Sequence, residues 1–322
     1  MQISLILKGM AMGMAEVIPG VSGGTIAFIT GIYARLIRAI GNILGPTVIG
    51  TLRREGFKAA WKVADGLFIA QLGIGMLFGI GIGVLAITAL LTSYPPVVWA
   101  FFFGLIVSSA LYVARQIDRR TLLMLVLFLV GAAVAFGLTT INPLGGSEQL
   151  LYVFLAGSIA ISALILPGIS GSFILLLLGM YTVVLGAARD VTTFASGPIL
   201  ILLVFMLGCL VGLALFSRVL SYTFRRFPDE TLATLTGFMI GSLNKLWPWR
   251  HALTYRTNSS GEQVPLAEET VLPSTYHELT GEPAFLVAAI LAALFGFALV
   301  FVLDRFAPGG KDEMDRLQEA VE

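Results

Sequence analysis

Two short strings hold the residues best suited to chemistry: Pro19-Gly20-Val21-Ser22-Gly23 and, 148 positions later, Pro167-Gly168-Ile169-Ser170-Gly171. A Pro-Gly pair lacks one backbone donor and hides nothing with its side chains. Inside an apolar stretch its bare N–H and C=O groups must therefore line a cavity or meet a ligand. A helix that restarts just after such a break points unpaired N–H groups and the positive end of its dipole at the break. Ser22, Gly23, Gly24 and Thr25 stand at the first restart, and Ser170, Gly171 and Ser172 at the second. These residues are the candidate ligands of an anion, phosphate or carboxylate, with Pro19, Gly20, Pro167 and Gly168 forming the breaks. A simple kink accounts for Pro and Gly, but not for a matching Ser-Gly turn at both places.

Two charged residues join this set. Glu16 is the one acid within the first apolar hairpin, a depth at which a carboxylate has to be protonated, paired or turned to water. It is a candidate carrier of a proton or sodium ion. The plainer role is a neutral acid bonded to free backbone groups near the break. Its counterpart in the second half is Leu164. Lys245 sits beside Trp247, Pro248 and Trp249, where it serves either as an interfacial anchor or as an attractor of an anionic headgroup.

The elements that must position these residues are apolar. The chain of 322 residues is 57% hydrophobic and 12% charged, the composition of a polytopic membrane protein. Its net charge of +1, with basic residues spread over short loops, argues against a nucleic-acid partner. A single cysteine, Cys209, excludes disulfides and thiolate metal sites, and His251 and His277 in one polar loop do not make a zinc site. No cofactor is expected. The first residues lack the pattern of a cleaved leader and read as part of the mature chain.

Apolar segments fall at residues 3–18, 22–40, 66–91, 97–113, 121–138, 150–166, 169–186, 198–216, 231–247 and 284–304. The segment over 3–18 spans about 24 Å as a helix, too short to cross comfortably, which favours a re-entrant hairpin over residues 1–40. A second hairpin covers 150–186. It is either re-entrant or fully spanning. Gly31 and Tyr33 match Gly179 and Tyr181 at the same offset of 148, while Pro95, Gly104 and Ser109 match Pro228, Gly237 and Ser242 at an offset of 133. Each half is thus one hairpin followed by three spanning helices. With an odd number of crossings, the halves are an inverted repeat over 1–140 and 141–304, followed by a tail at 305–322.

Hairpins that return to their own side place 16 of the 20 Lys and Arg residues on one face, whereas single crossings split them 13 to 7. Both termini are then cytoplasmic. Arg35 and Arg38 read as topology determinants rather than ligands. The glycines between Gly73 and Gly83 permit close helix contact, and the acidic loop over 251–283 reads as a solvated external flap in which Asn258-Ser259-Ser260 is a weak glycosylation pattern.

The string from Lys8-Gly9-Met10 through Glu16-Val17-Ile18-Pro19-Gly20-Val21-Ser22-Gly23-Gly24-Thr25, the second Pro167-Gly168-Ile169-Ser170-Gly171, and Gly241-Ser242-Leu243 leading to Trp247-Pro248-Trp249 together resemble the bacterial polyprenyl-phosphate transporter family. The resemblance covers nearly the whole chain. It implies return of undecaprenyl phosphate, the carrier lipid of cell-wall synthesis, from the outer to the inner leaflet of the cytoplasmic membrane. The implied partners are that lipid, the bilayer and a coupling proton or sodium ion. An anion channel or small-anion transporter is the alternative that the residues alone also permit. A phosphatase or transferase acting through Ser22 or Ser170 is disfavoured, because neither hairpin supplies an activating base or a carboxylate pair.

Overall fold

The computed structural model describes residues 3–17, 21–43, 45–141, 144, 146–190, 196–257 and 263–306. Pro19 and Gly20 of the first break, the Asn258–Ser260 pattern and all but the first two residues of the 305–322 tail lie outside them.

The chain is mostly helical. The first hairpin region comprises α1 (Ile3–Glu16), α2 (Gly23–Ile29) and α3 (Tyr33–Ile43). Two short helices follow, α4 (Pro46–Glu55) and α5 (Phe57–Val63), in a stretch with no apolar segment. Next come α6 (Gly66–Ser93), α7 (Pro95–Ala114) and α8 (Leu122–Thr140). The second hairpin region holds α9 (Leu150–Ile165), α10 (Gly171–Leu177) and α11 (Met180–Asp190), with α10 and α11 bent by 108°. The remainder is α12 (Ser196–Arg226), α13 (Pro228–Ser242), a 3-10 turn (Leu243–Leu246), a hairpin of β1 (Arg250–Thr257) and β2 (Gln263–Thr270), α14 (Pro273–Thr280) and α15 (Leu286–Phe306).

Among the described residues, four helices are long and apolar enough to cross a membrane: α6, α7, α8 and α12. The bent α10–α11 pair passes the same test when taken together. This is a multi-pass membrane protein. Large side chains left bare on α6 and α8, such as Leu77, Leu85, Leu122 and Leu129, suit hydrocarbon rather than water. By contrast α7 is enclosed, with Phe102, Leu105, Ile106, Ala110 and Val113 all buried.

Proline sets several helix starts. It stands in the first turn of α4, α7, α13 and α14, where its missing N–H has no intrahelical acceptor to lose. A proline also ends α12: Phe227, kept out of the helical region by the following Pro228, stops a helix that runs ten residues beyond its apolar stretch through Arg218, Arg225 and Arg226. Hydropathy reports immersion, whereas the backbone hydrogen bonds continue past it.

Four helix pairs make the body: α1 on α6, α9 on α12, α7 on α15 and α8 on α13. Each pair meets at glycine. A methyl group on Gly13 would overlap the Met76 carbonyl, and one on Gly75 the Ile6 carbonyl. In the α9–α12 pair the same holds for Gly208 against Phe154 and Gly212 against Ser158. Gly104 and Gly296 serve α7–α15, while Gly131, Gly237 and Gly241 serve α8–α13. In hydrocarbon, where apolar side chains gain nothing by leaving lipid, this approach of backbones supplies the packing.

The loop over 251–283 is largely exposed among its described residues, as a solvated flap would be, and it carries regular structure. Its β-hairpin is helix-free and tied down: Trp247 Nε1 donates to the Val271 carbonyl at 2.9 Å and Trp249 Nε1 to the Ala284 carbonyl at 2.8 Å.

Candidate functional site

The first restart is stitched to the second break. Ser22, in extended conformation, caps α2; its Oγ accepts from the Gly24 N–H at 3.0 Å and donates to the Leu164 carbonyl at 2.9 Å. Gly168 N–H donates to Thr25 Oγ1 at 3.1 Å, and the Tyr33 hydroxyl donates to the Ile165 carbonyl at 3.1 Å. Gly24 lies so close to the Ile165 carbonyl that any side chain there would collide with it. The carbonyls left over where α9 ends thus find donors on the first hairpin, which answers the accounting that membrane burial imposes.

Glu16 closes the first restart. Its Oε1 accepts the Gly23 N–H at 2.7 Å, so a carboxylate of the chain itself occupies the positive end of α2. Both roles open to Glu16, ion carrier and neutral acid, are compatible with this contact.

The second restart differs. Ser170 stands at the cap position of α10 but makes no capping bond; its Oγ lies 2.9 Å from Ser172 Oγ. Gly168 has φ of 85°, a left-handed conformation that a side chain strains, and a Cβ there would meet the Met239 backbone. Gly171 abuts the Ala160 carbonyl. Ser22 and Thr25 are 0% exposed and Ser170 is 1% exposed, so these hydroxyl residues are buried in this conformation.

Lys245, on the 3-10 turn, reaches the second hairpin through Phe173, whose ring centroid lies 5.4 Å from Nζ. It also bonds Glu268 Oε2 at 3.1 Å, the same oxygen that accepts from Arg250 Nη1 at 2.7 Å. The Arg250 guanidinium stacks 4.0 Å from the Trp99 ring centroid on α7. Nothing in the sequence pattern singles out Arg250 or Glu268. Their meeting depends on strand register, which pairs Ala252 with Glu268 and Arg250 with Thr270.

Burial alone would raise the Glu268 carboxyl, but Arg250 and Lys245 together hold it below its ordinary value. A lowered acid contributes stability above its unfolded pKa and loses that contribution as pH falls through the folded one. Hydrogen-exchange protection of 250–257 is therefore expected to hold at neutral pH and to drop below the ordinary carboxylate range, with E268Q abolishing the pH step. A drop of the same size in E268Q would assign the step to another group.

Arg35 and Asp65 form a separate bidentate pair, with Nε to Oδ2 at 2.6 Å and Nη2 to Oδ1 at 2.9 Å. The pair supports the left-handed backbone of Asp65, φ 51°, where α5 turns into α6.

Apolar helices long enough to cross a bilayer, with two short helix starts hydrogen-bonded to one another among them, define a helical multi-pass membrane protein. Residues 12–264 match the undecaprenyl phosphate translocase-like family, and the chain belongs to it. It is 45% identical over 305 residues to a polyprenyl-phosphate transporter of Vibrio cholerae, covering 95% of this chain and 97% of that one. It is 33% identical over 258 residues to a polyprenyl-phosphate transporter of Staphylococcus aureus, covering 76% and 85%. No solved structure matches.

Proposed function

We propose that this protein carries a polyprenyl phosphate across the bacterial cytoplasmic membrane, from the outer to the inner leaflet, for reuse in cell-envelope synthesis. The observation that carries the reading is the junction itself: the α2 start hydrogen-bonded to residues 164–168 in a chain related along nearly its full length to named polyprenyl-phosphate transporters. The phosphate binds where the hairpins meet, near Ser22, Gly23, Gly24, Thr25, Ser170, Gly171 and Ser172, with Lys245 at the edge. The junction is closed in this conformation, so binding requires a second one in which the hairpins part.

The two halves, 1–140 and 141–304, act as an inverted repeat whose rocking opens the junction to each leaflet in turn. Equivalent packing supports this: α1–α6 corresponds to α9–α12, and α7–α15 to α13–α8. The glycines at those contacts share the same offsets, Gly9 with Gly157, Gly75 with Gly208 and Gly104 with Gly237. The charge distribution puts both termini in the cytoplasm.

A lipid tail has no need of a closed pocket. A groove of about 320 Å³ beside the second break, lined by Leu127, Leu166, Phe216, Leu220 and Phe238, offers an apolar path with Glu230 at its rim.

Glu16 couples the step to a proton or sodium ion. On protonation it loses its charge-assisted bond to Gly23 N–H and frees the α2 start for the phosphate. In proteoliposomes loaded with a fluorescent short-chain polyprenyl phosphate, E16Q is expected to keep slow downhill movement and to lose its acceleration by a pH gradient. A full gradient response in E16Q would take Glu16 out of the coupling.

A further inference from the structure

Two cations share one carboxylate oxygen at the foot of the β-hairpin, and this arithmetic is incomplete. Lys245 and Arg250 carry two positive charges, and among the described residues Glu268 is the acid that pairs with them. The Arg250 side chain is 8% exposed, yet its Nε–H is buried with no hydrogen-bond partner among the described residues. A guanidinium donor left in that state is costly.

The same protein shows what a satisfied arginine looks like. Arg35 engages both oxygens of Asp65 through Nε and Nη2, the planar fork that suits a carboxylate. Arg250 instead spends one Nη1–H on an oxygen already bonded to Lys245 and leaves Nε unused. A phosphate monoester has three terminal oxygens and up to two negative charges, enough to meet the Arg250 fork and the Lys245 ammonium together.

We propose that Lys245 and Arg250 form a binding site for a phosphate monoester, held in this conformation by Glu268 as a displaceable internal stand-in. The site adjoins the second hairpin, since Lys245 faces Phe173, the residue after Ser172. It serves as a station for the headgroup before the headgroup enters the junction, and in that role it rests on the transport reading given above.

The test uses the full chain in nanodiscs, with tryptophan fluorescence as the readout because Trp99 stacks on Arg250 and Trp247 and Trp249 flank the turn. Farnesyl monophosphate and inorganic phosphate are titrated separately. E268Q, which removes the resident charge, is expected to bind about tenfold tighter than the unmodified chain, and R250Q about tenfold weaker. Tightening for farnesyl monophosphate alone assigns the site to a lipid headgroup; tightening for both assigns it to free phosphate as well. Either result supports the site.

Equal or weaker binding by E268Q in monodisperse protein makes Glu268 a strut and overturns the proposal. Should E268Q fail to fold, E268D, which withdraws the carboxylate by one methylene, is expected to tighten binding to a smaller extent, and no tightening there overturns it equally. Transport assayed in parallel separates the two readings. Unchanged binding in E268Q that still moves lipid defeats the stand-in alone, whereas absence of both binding and transport in the unmodified chain defeats the transport reading with it.

Discussion

Replacing Gly168 by alanine is expected to abolish recovery of folded protein. Two costs combine at this residue. The left-handed backbone at φ 85° disfavours any side chain by about 1–2 kcal/mol. The new methyl group would press on the Met239 backbone, and such overpacking of a rigid neighbour adds about 1–3 kcal/mol or more. The neighbouring atoms are all backbone of Phe238 and Met239, so no flexible side-chain end is there to yield. The same move shifts the Gly168 N–H away from Thr25 Oγ1 and so loosens a hydrogen bond that the second break donates to the first hairpin. Monodisperse yield and thermal midpoint in detergent are the measurements. Gly73→Ala and Gly137→Ala, where a Cβ meets nothing within 4 Å, are the controls. Both lie inside helices, and each is expected to leave the midpoint unchanged or raise it, because alanine is favoured over glycine there by about 1 kcal/mol. A normal midpoint for G168A would mean that the break rearranges freely and is not held by this turn.

The largest functional effect is expected from locking the hairpins together. Ser22 Oγ donates to the Leu164 carbonyl at 2.9 Å, so cysteines at 22 and 164 lie within reach of a short thiol cross-linker once Cys209, the chain's own cysteine, is changed to serine. If the phosphate enters by separation of the two hairpins, cross-linked S22C/L164C protein is expected to retain less than about a tenth of the transport rate of the same protein reduced. Reduction or omission of the linker restores it. The comparison is internal, so damage caused by the substitutions cancels. Undiminished transport by the cross-linked form would show that the junction stays shut during the cycle and would move the headgroup path elsewhere, with the groove beside Leu166 the next place to look.

The two experiments address different properties of one junction. G168A asks whether the closed state is specified by backbone geometry, and the cross-link asks whether the protein has to leave that state. A marginal balance between closed and open forms is what a carrier needs: the hydrogen bonds that Ser22 and Tyr33 donate and the one that Thr25 accepts from Gly168 hold the junction seen here, and each is the kind of contact that contributes only about 0.5–1.5 kcal/mol net.

Much of the architecture was legible in the chain because membrane helices are written in hydropathy. Segments at 66–91, 97–113 and 121–138 correspond to α6, α7 and α8 within a few residues. The match at 148 positions drew attention to both restarts, and both are helix starts in the structure. Where immersion and helicity part company, the reading fell short. The α12 helix outruns its apolar core through three arginines, and α4 and α5 form outside the long apolar segments, because backbone hydrogen bonds form in water as well as in lipid.

What the residues determined by themselves is the chemistry on offer: apolar spans, two Pro-Gly restarts bearing small hydroxyl residues, one acid at the first and a basic residue set among tryptophans. Tertiary structure decided who faces whom. It put the Glu16 carboxylate on the Gly23 N–H, drew Thr25 to Gly168 across the two hairpins, and set Glu268 between Lys245 and Arg250. The physical reason is range. Hydropathy and restart signals are local and survive in one dimension, whereas pairing of charges and donors is set by how close glycine lets two helices come and by the register of two strands.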